Sequence, residues 1–76
     1  MKDNNSNILQ NFGLRVQKLR KSKNLSQEQF ADICGLHRTY IGMIERGEKN
    51  ITLKNIHKLA TALNINISDF FKGING

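Results

Sequence analysis

Between Ser26 and Gly47 the chain sets out apolar residues at helical spacing, breaks once at a glycine, and resumes. Ser26 is a good N-cap, because its hydroxyl can accept from the free N–H groups of a first helical turn. Gln29 stands three residues on, where the second member of a capping box belongs. Phe30, Ala31, Ile33 and Cys34 then give one apolar side. Gly35 falls at a helix-ending position, since glycine takes the left-handed conformation without a Cβ clash. Past Leu36 a second helix can start near His37, with Tyr40, Ile41, Met43 and Ile44 on its inner side, and Gly47 ends it. The prediction is two short helices meeting at an apolar corner.

The second helix opens on His37, Arg38 and Thr39, three polar residues expected to face outward. Such a helix can lie in the major groove of DNA with its N-terminal residues against base edges. Arg38 can donate two hydrogen bonds to one guanine, and Thr39 can meet a thymine methyl group or an acceptor. His37 has two readings, base contact or helix cap. A metal role finds no support, because His57 is distant and no paired Cys or carboxylate set accompanies it. The pattern is that of a DNA-binding helix-turn-helix over residues 26–47.

The remaining chain sets the frame. With 76 residues there is room for one small domain and no second core. The formal net charge is +6 and the isoelectric point about 9.9, which fits an anionic partner as well as plain solubility. The basic residues cluster before the central stretch (Arg15, Lys18, Arg20, Lys21, Lys23) and after it (Lys49, Lys54, Lys58). A single cysteine permits no internal disulfide and fits a reducing interior, and Cys34 reads as a small buried filler. The start has no apolar signal core and no run approaches membrane-spanning length, so a cytoplasmic location without membrane contact is expected.

Residues 1–6 are polar and expected to fray. A first helix is predicted from Ile8 to about Lys23, with Ile8, Leu9, Phe12, Val16 and Leu19 on its inner side. Asn24 is its stop, and Leu25 a hydrophobic staple for the next helix. After the polar loop Glu48-Lys49-Asn50, Thr52 caps a fourth helix with Leu53, Ile56, Leu59, Ala60 and Leu63 inside and Asn64 at its close. An extended connector Ile65-Asn66-Ile67 leads to Ser68 as cap of a last short helix ending at Gly73. The fold class is all-α, a compact five-helix bundle.

Several residues flank the predicted reading helix. Gln27 begins the preceding helix, where side chain and backbone amide can meet phosphate at the positive helix end. Tyr40 can offer its hydroxyl to phosphate or simply pack. Arg46, Lys49 and Asn50 look like a second phosphate clamp. Lys18 and Lys21 read either as a solvated face or as phosphate contacts. Glu45 would sit on the inner side, which is costly for a carboxylate without a partner. Glu28 and Asp32 read as a solvated acidic face or as a surface for RNA polymerase in an activator. Ile65, Ile67, Phe70, Phe71 and Ile74 are many large apolar groups for one small core, so a symmetric homodimer is expected through them, with core packing as the other reading.

Ser26-Gln27-Glu28-Gln29-Phe30-Ala31, Gly35, Ile41, Ile44-Glu45-Arg46-Gly47, Leu53 and Leu59 together resemble the lambda-repressor-like (Cro and phage-repressor) helix-turn-helix family, over residues 8–72. His37-Arg38-Thr39-Tyr40-Ile41, Ile44-Glu45-Arg46-Gly47 and Asn50-Ile51-Thr52-Leu53 are similar to the controller proteins of restriction–modification systems. That resemblance implies a small dimeric regulator on operator repeats, without a ligand-binding domain, that activates and then represses. It also implies an ion pair between Arg20 and Glu45. Gly42 and Met43 depart from the pattern where a polar side chain could have touched DNA.

A prophage repressor or the antitoxin of a toxin–antitoxin pair would share these residues. From another class, an RNA-binding or protein-bridging adaptor could use the basic surface. Only five aromatic residues are present and the Phe residues read as buried, which leaves no stacking platform for RNA. No nucleophile–base set, metal cluster or phosphate-binding glycine loop points to an enzyme, and no cofactor or small-molecule ligand is implied.

Overall fold

The helical periodicities resolve, in a computed structural model that describes residues 4–74, into α1 (Asn4–Ser22), α2 (Gln27–Cys34), α3 (Arg38–Glu45) and α4 (Leu53–Leu63). A 3-10 helix, Ile67–Phe71, follows them. The expected fifth α-helix is therefore corrected to a 3-10 turn. With three residues per turn, Ile67 and Phe70 fall on one side, and both pack toward the core. Its N-cap is Asn66 rather than Ser68, and the Asp69 carboxylate accepts from the Asn66 backbone N–H at 3.1 Å.

α1 begins at Asn4, one turn before the expected Ile8, so residues 4–6 belong to the helix. Residues 1–3 of the stretch expected to fray lie outside the described residues. Asn24 adopts a positive φ of 60° after α1, and Leu25 packs half-buried on the core. Thr52 caps α4 by accepting from Asn55 N–H at 3.1 Å, and Asn64 closes it in the left-handed conformation.

The core gathers Phe12 and Val16 from α1, Phe30, Ala31 and Cys34 from α2, and Ile41 and Ile44 from α3. Leu59, Ala60 and Leu63 of α4 and Phe70 complete it. Two expected core residues are exposed instead. Ile33 is 56% exposed: at about 100° per residue it lies roughly 105° from the centre of the arc holding Phe30, Ala31 and Cys34. Leu53, first residue of α4, is 72% exposed, as no described element covers it.

Gly13 sets how closely α1 approaches α3. A Cβ built on it would lie 2.7 Å from the Glu45 carbonyl oxygen and closer still to that of Ile44. Only a residue without a side chain fits there. This close approach seats the C-terminal end of α3 on α1.

Candidate nucleic-acid interface

The corner between α2 and α3 is built from local chemistry. Ser26 Oγ accepts from Gln29 N–H at 3.0 Å while Gln29 Oε1 accepts from Ser26 N–H at 2.8 Å, a complete capping box. Gly35 takes φ 73°, and the Leu36 N–H donates back to the Ala31 carbonyl at 3.0 Å, a Schellman-like exit. Leu36 packs half-buried in the turn. α3 starts after His37, whose backbone occupies the N-cap position but whose side chain makes no capping hydrogen bond.

On α3, Ile41 and Ile44 are buried against the core, while His37, Arg38 and Thr39 are all exposed at the N-terminal end. The opposite end is locked. Arg20 Nε donates to Glu45 Oε2 at 2.6 Å and Arg20 Nη2 to Oε1 at 2.9 Å. Gln27 Nε2 donates to the same Oε1 at 2.9 Å, and Arg20 Nη1 donates to the Leu25 carbonyl at 2.7 Å. One carboxylate thus joins the end of α1, the first residue of α2 and the last residue of α3. Among the described residues no buried side-chain nitrogen or oxygen is left unsatisfied, which is the condition for an internal charge pair to be tolerated. Gln27 is therefore held toward Glu45. Gly42 is buried beneath Arg46 and Gln27: a Cβ there would meet Arg46 Nη1 at 3.1 Å.

The segment after α3 carries the other charges. Arg46 Nε and Nη2 donate to the two carboxylate oxygens of Glu48 at 3.0 and 3.1 Å, in solvent. Hydrogen bonding from Arg46 holds the Glu48 carboxyl below the usual range, and Glu48 raises the Arg46 guanidinium in turn. The Lys49 ammonium lies 5.8 Å from the centroid of the Tyr40 ring. Asn50 is exposed beside it. Tyr40 is half-buried, and its hydroxyl accepts from Asn55 Nδ2 at 2.9 Å, a contact across α3 and α4 that sequence reasoning missed. Nothing in the spacing of α4 marks Asn55, because the pairing depends on the crossing of two helices. Glu28 and Asp32 are exposed on α2.

The residues expected at a dimer interface divide. Phe70 is fully buried (0% exposed) against Phe12, with ring centroids 5.5 Å apart, so it has no side-chain surface left for a partner and is withdrawn from that set. Ile65 and Ile67 are half-buried, and Phe71 is exposed.

Residues 16–70 match the family model described as helix-turn-helix. The chain belongs to the helix-turn-helix family. This helix-turn-helix chain is 49% identical to control protein C.BamHI of Bacillus amyloliquefaciens, over 84% of its own length and 80% of the relative's. To control protein C.SmaI of Serratia marcescens it is 56% identical over 68% of its length and 62% of the relative's. Its fold is similar to the crystal structure of the restriction–modification controller protein C.AhdI from Aeromonas hydrophila. That likeness has a TM-score of 0.82 and 51% identity, covering 83% of this chain and 96% of the other.

Proposed function

We propose that this chain is a sequence-specific DNA-binding transcriptional regulator, the controller protein of a restriction–modification system, acting as a homodimer on operator DNA. The observation that carries the reading is the pairing of an exposed Arg38 and Thr39 with a helix whose far end is tied down by a buried carboxylate. A reading element must be rigid and must present donors and acceptors outward, and α3 does both. The high identity to two control proteins supports the controller assignment over a prophage repressor or an antitoxin.

In this reading Arg38, Thr39 and His37 meet base edges. Tyr40, Lys49 and Asn50 meet backbone phosphate, joined by Arg46 once it exchanges Glu48 for an anionic oxygen. Gln27 contributes through the N-terminus of α2, since its side-chain amide already serves Glu45. Ile65, Ile67 and Phe71 form the dimer contact, and exposed Glu28 and Asp32 are offered to RNA polymerase when the regulator activates.

The deciding experiment is selection from random duplexes by the purified protein. The expected product is a pair of related half-sites whose centres stand about one DNA turn apart. Scrambled duplexes held as tightly as the selected ones would overturn the reading.

A further inference from the structure

Tyr40 and Asn55 meet where α3 leans on α4, and the polarity of their contact is informative. Asn55 Nδ2 is the donor and the phenolic oxygen the acceptor, 2.9 Å apart. A tyrosine hydroxyl carries one proton of its own, and an amide N–H occupying an acceptor position leaves that proton to point elsewhere. Among the described residues no acceptor takes it. Asn55 is itself fixed, as the third residue of α4, by its backbone N–H to Thr52 Oγ1 at 3.1 Å. The Lys49 ammonium stands near the same ring.

We propose that Asn55 is a positioning residue for DNA binding: it holds the Tyr40 phenol so that its proton is presented to a phosphate oxygen beside Lys49. This deepens the DNA-binding reading above and rests on it. Donation by the amide polarises the phenol and makes its remaining proton a better donor. The acceptor it suits is anionic, where a hydrogen bond is at its strongest. An Asp at position 55 would reverse the arrangement, accepting the phenolic proton and drawing it inward.

The test uses the full chain and a duplex taken from its own selection, comparing Asn55→Ala, Asn55→Asp, Tyr40→Phe and the two double variants. Urea unfolding of each variant sets a temperature at which all remain folded. Asn55→Ala is expected to weaken binding roughly three- to tenfold per bound subunit, the scale of one lost hydrogen bond, with Asn55→Asp weaker still. In the Tyr40→Phe background, Asn55→Ala should cost nothing further, and Asn55→Asp should keep only a charge repulsion that added salt removes. If the loss from Asn55→Ala persists without the Tyr40 hydroxyl, Asn55 acts on its own and the proposal falls. It falls equally if Asn55→Ala binds like the parent protein. A parent protein that prefers no duplex at all defeats the DNA-binding reading instead, so the two failures are distinct.

Discussion

Glu45, the last residue of α3, receives both Nε and Nη2 of Arg20 from the end of α1, and each residue is only 5% exposed. Two parallel hydrogen bonds fix the angle of the carboxylate as well as its distance. The Gln27 amide adds a third donor from α2.

Removing one partner leaves the other charge buried and unmatched. Glu45→Met or Arg20→Met should each lower stability by about 3–5 kcal/mol, whereas combining the same two substitutions should cost far less than the sum. Urea denaturation of the three variants measures this. Strict additivity would mean that the two side chains do not interact.

Arg38 and Lys49 should fail differently. Arg38→Ala is expected to cost about 1–3 kcal/mol on the selected duplex and to blur preference at one base position. Lys49→Ala should weaken all duplexes alike and reduce the slope of log affinity against log salt by about one. Titrations at several salt concentrations, on selected and scrambled duplexes, separate reading from clamping. Uniform losses in both variants would erase the distinction.

Gly13 sets two effects against each other. Alanine inside a helix is favoured over glycine by about 1 kcal/mol. Here the added methyl would press on the backbone carbonyls of Ile44 and Glu45, which cannot swing aside like a side chain. Overpacking against a rigid neighbour costs about 1–3 kcal/mol or more, so Gly13→Ala should destabilise the protein on balance. A raised melting temperature in calorimetry would show that α1 can slide to make room.

Burial pushes the Cys34 thiol up to about 11, with nearby Lys58 opposing the shift less strongly. Below the ordinary value of 9.0 the thiol is protonated in both folded and unfolded chains, and no pH dependence arises from it. Between 9.0 and about 11 the unfolded thiol ionises while the folded one keeps its proton, so stability declines as pH rises through that window. Chemical denaturation across it should show a steeper decline for the parent than for Cys34→Ser. Identical slopes would place the thiol in contact with water.

The corner was legible because its chemistry is local. Ser26 with Gln29, Gly35, Thr52 and Asn64 each act within about one turn of the chain, and the structure puts each at the helix end its residue type foretells. The expectation for Ile33 and Leu53 erred because apolar character shows only that a residue can be buried. The neighbouring helices decide which arc is covered. The last helix was expected to start after an extended Ile67 and a Ser68 cap, because a segment of four or five residues is too short for its sequence to separate a 3-10 turn from an α turn or to fix where it begins. Phe70 illustrates a further limit, since counting apolar residues cannot tell a filled core from a surplus. Gly13 and Asn55 gave no signal at all. Their roles arise from the distance and crossing of helices far apart in sequence.

α3 spans only eight residues, too few for a lone peptide of that length to stay helical in water. Its shape is thus on loan from the bundle, and whatever loosens the interior should blunt discrimination among duplexes before the fold is lost. By reciprocity, a well-matched duplex should raise the temperature at which the whole chain melts, in proportion to how tightly it is held.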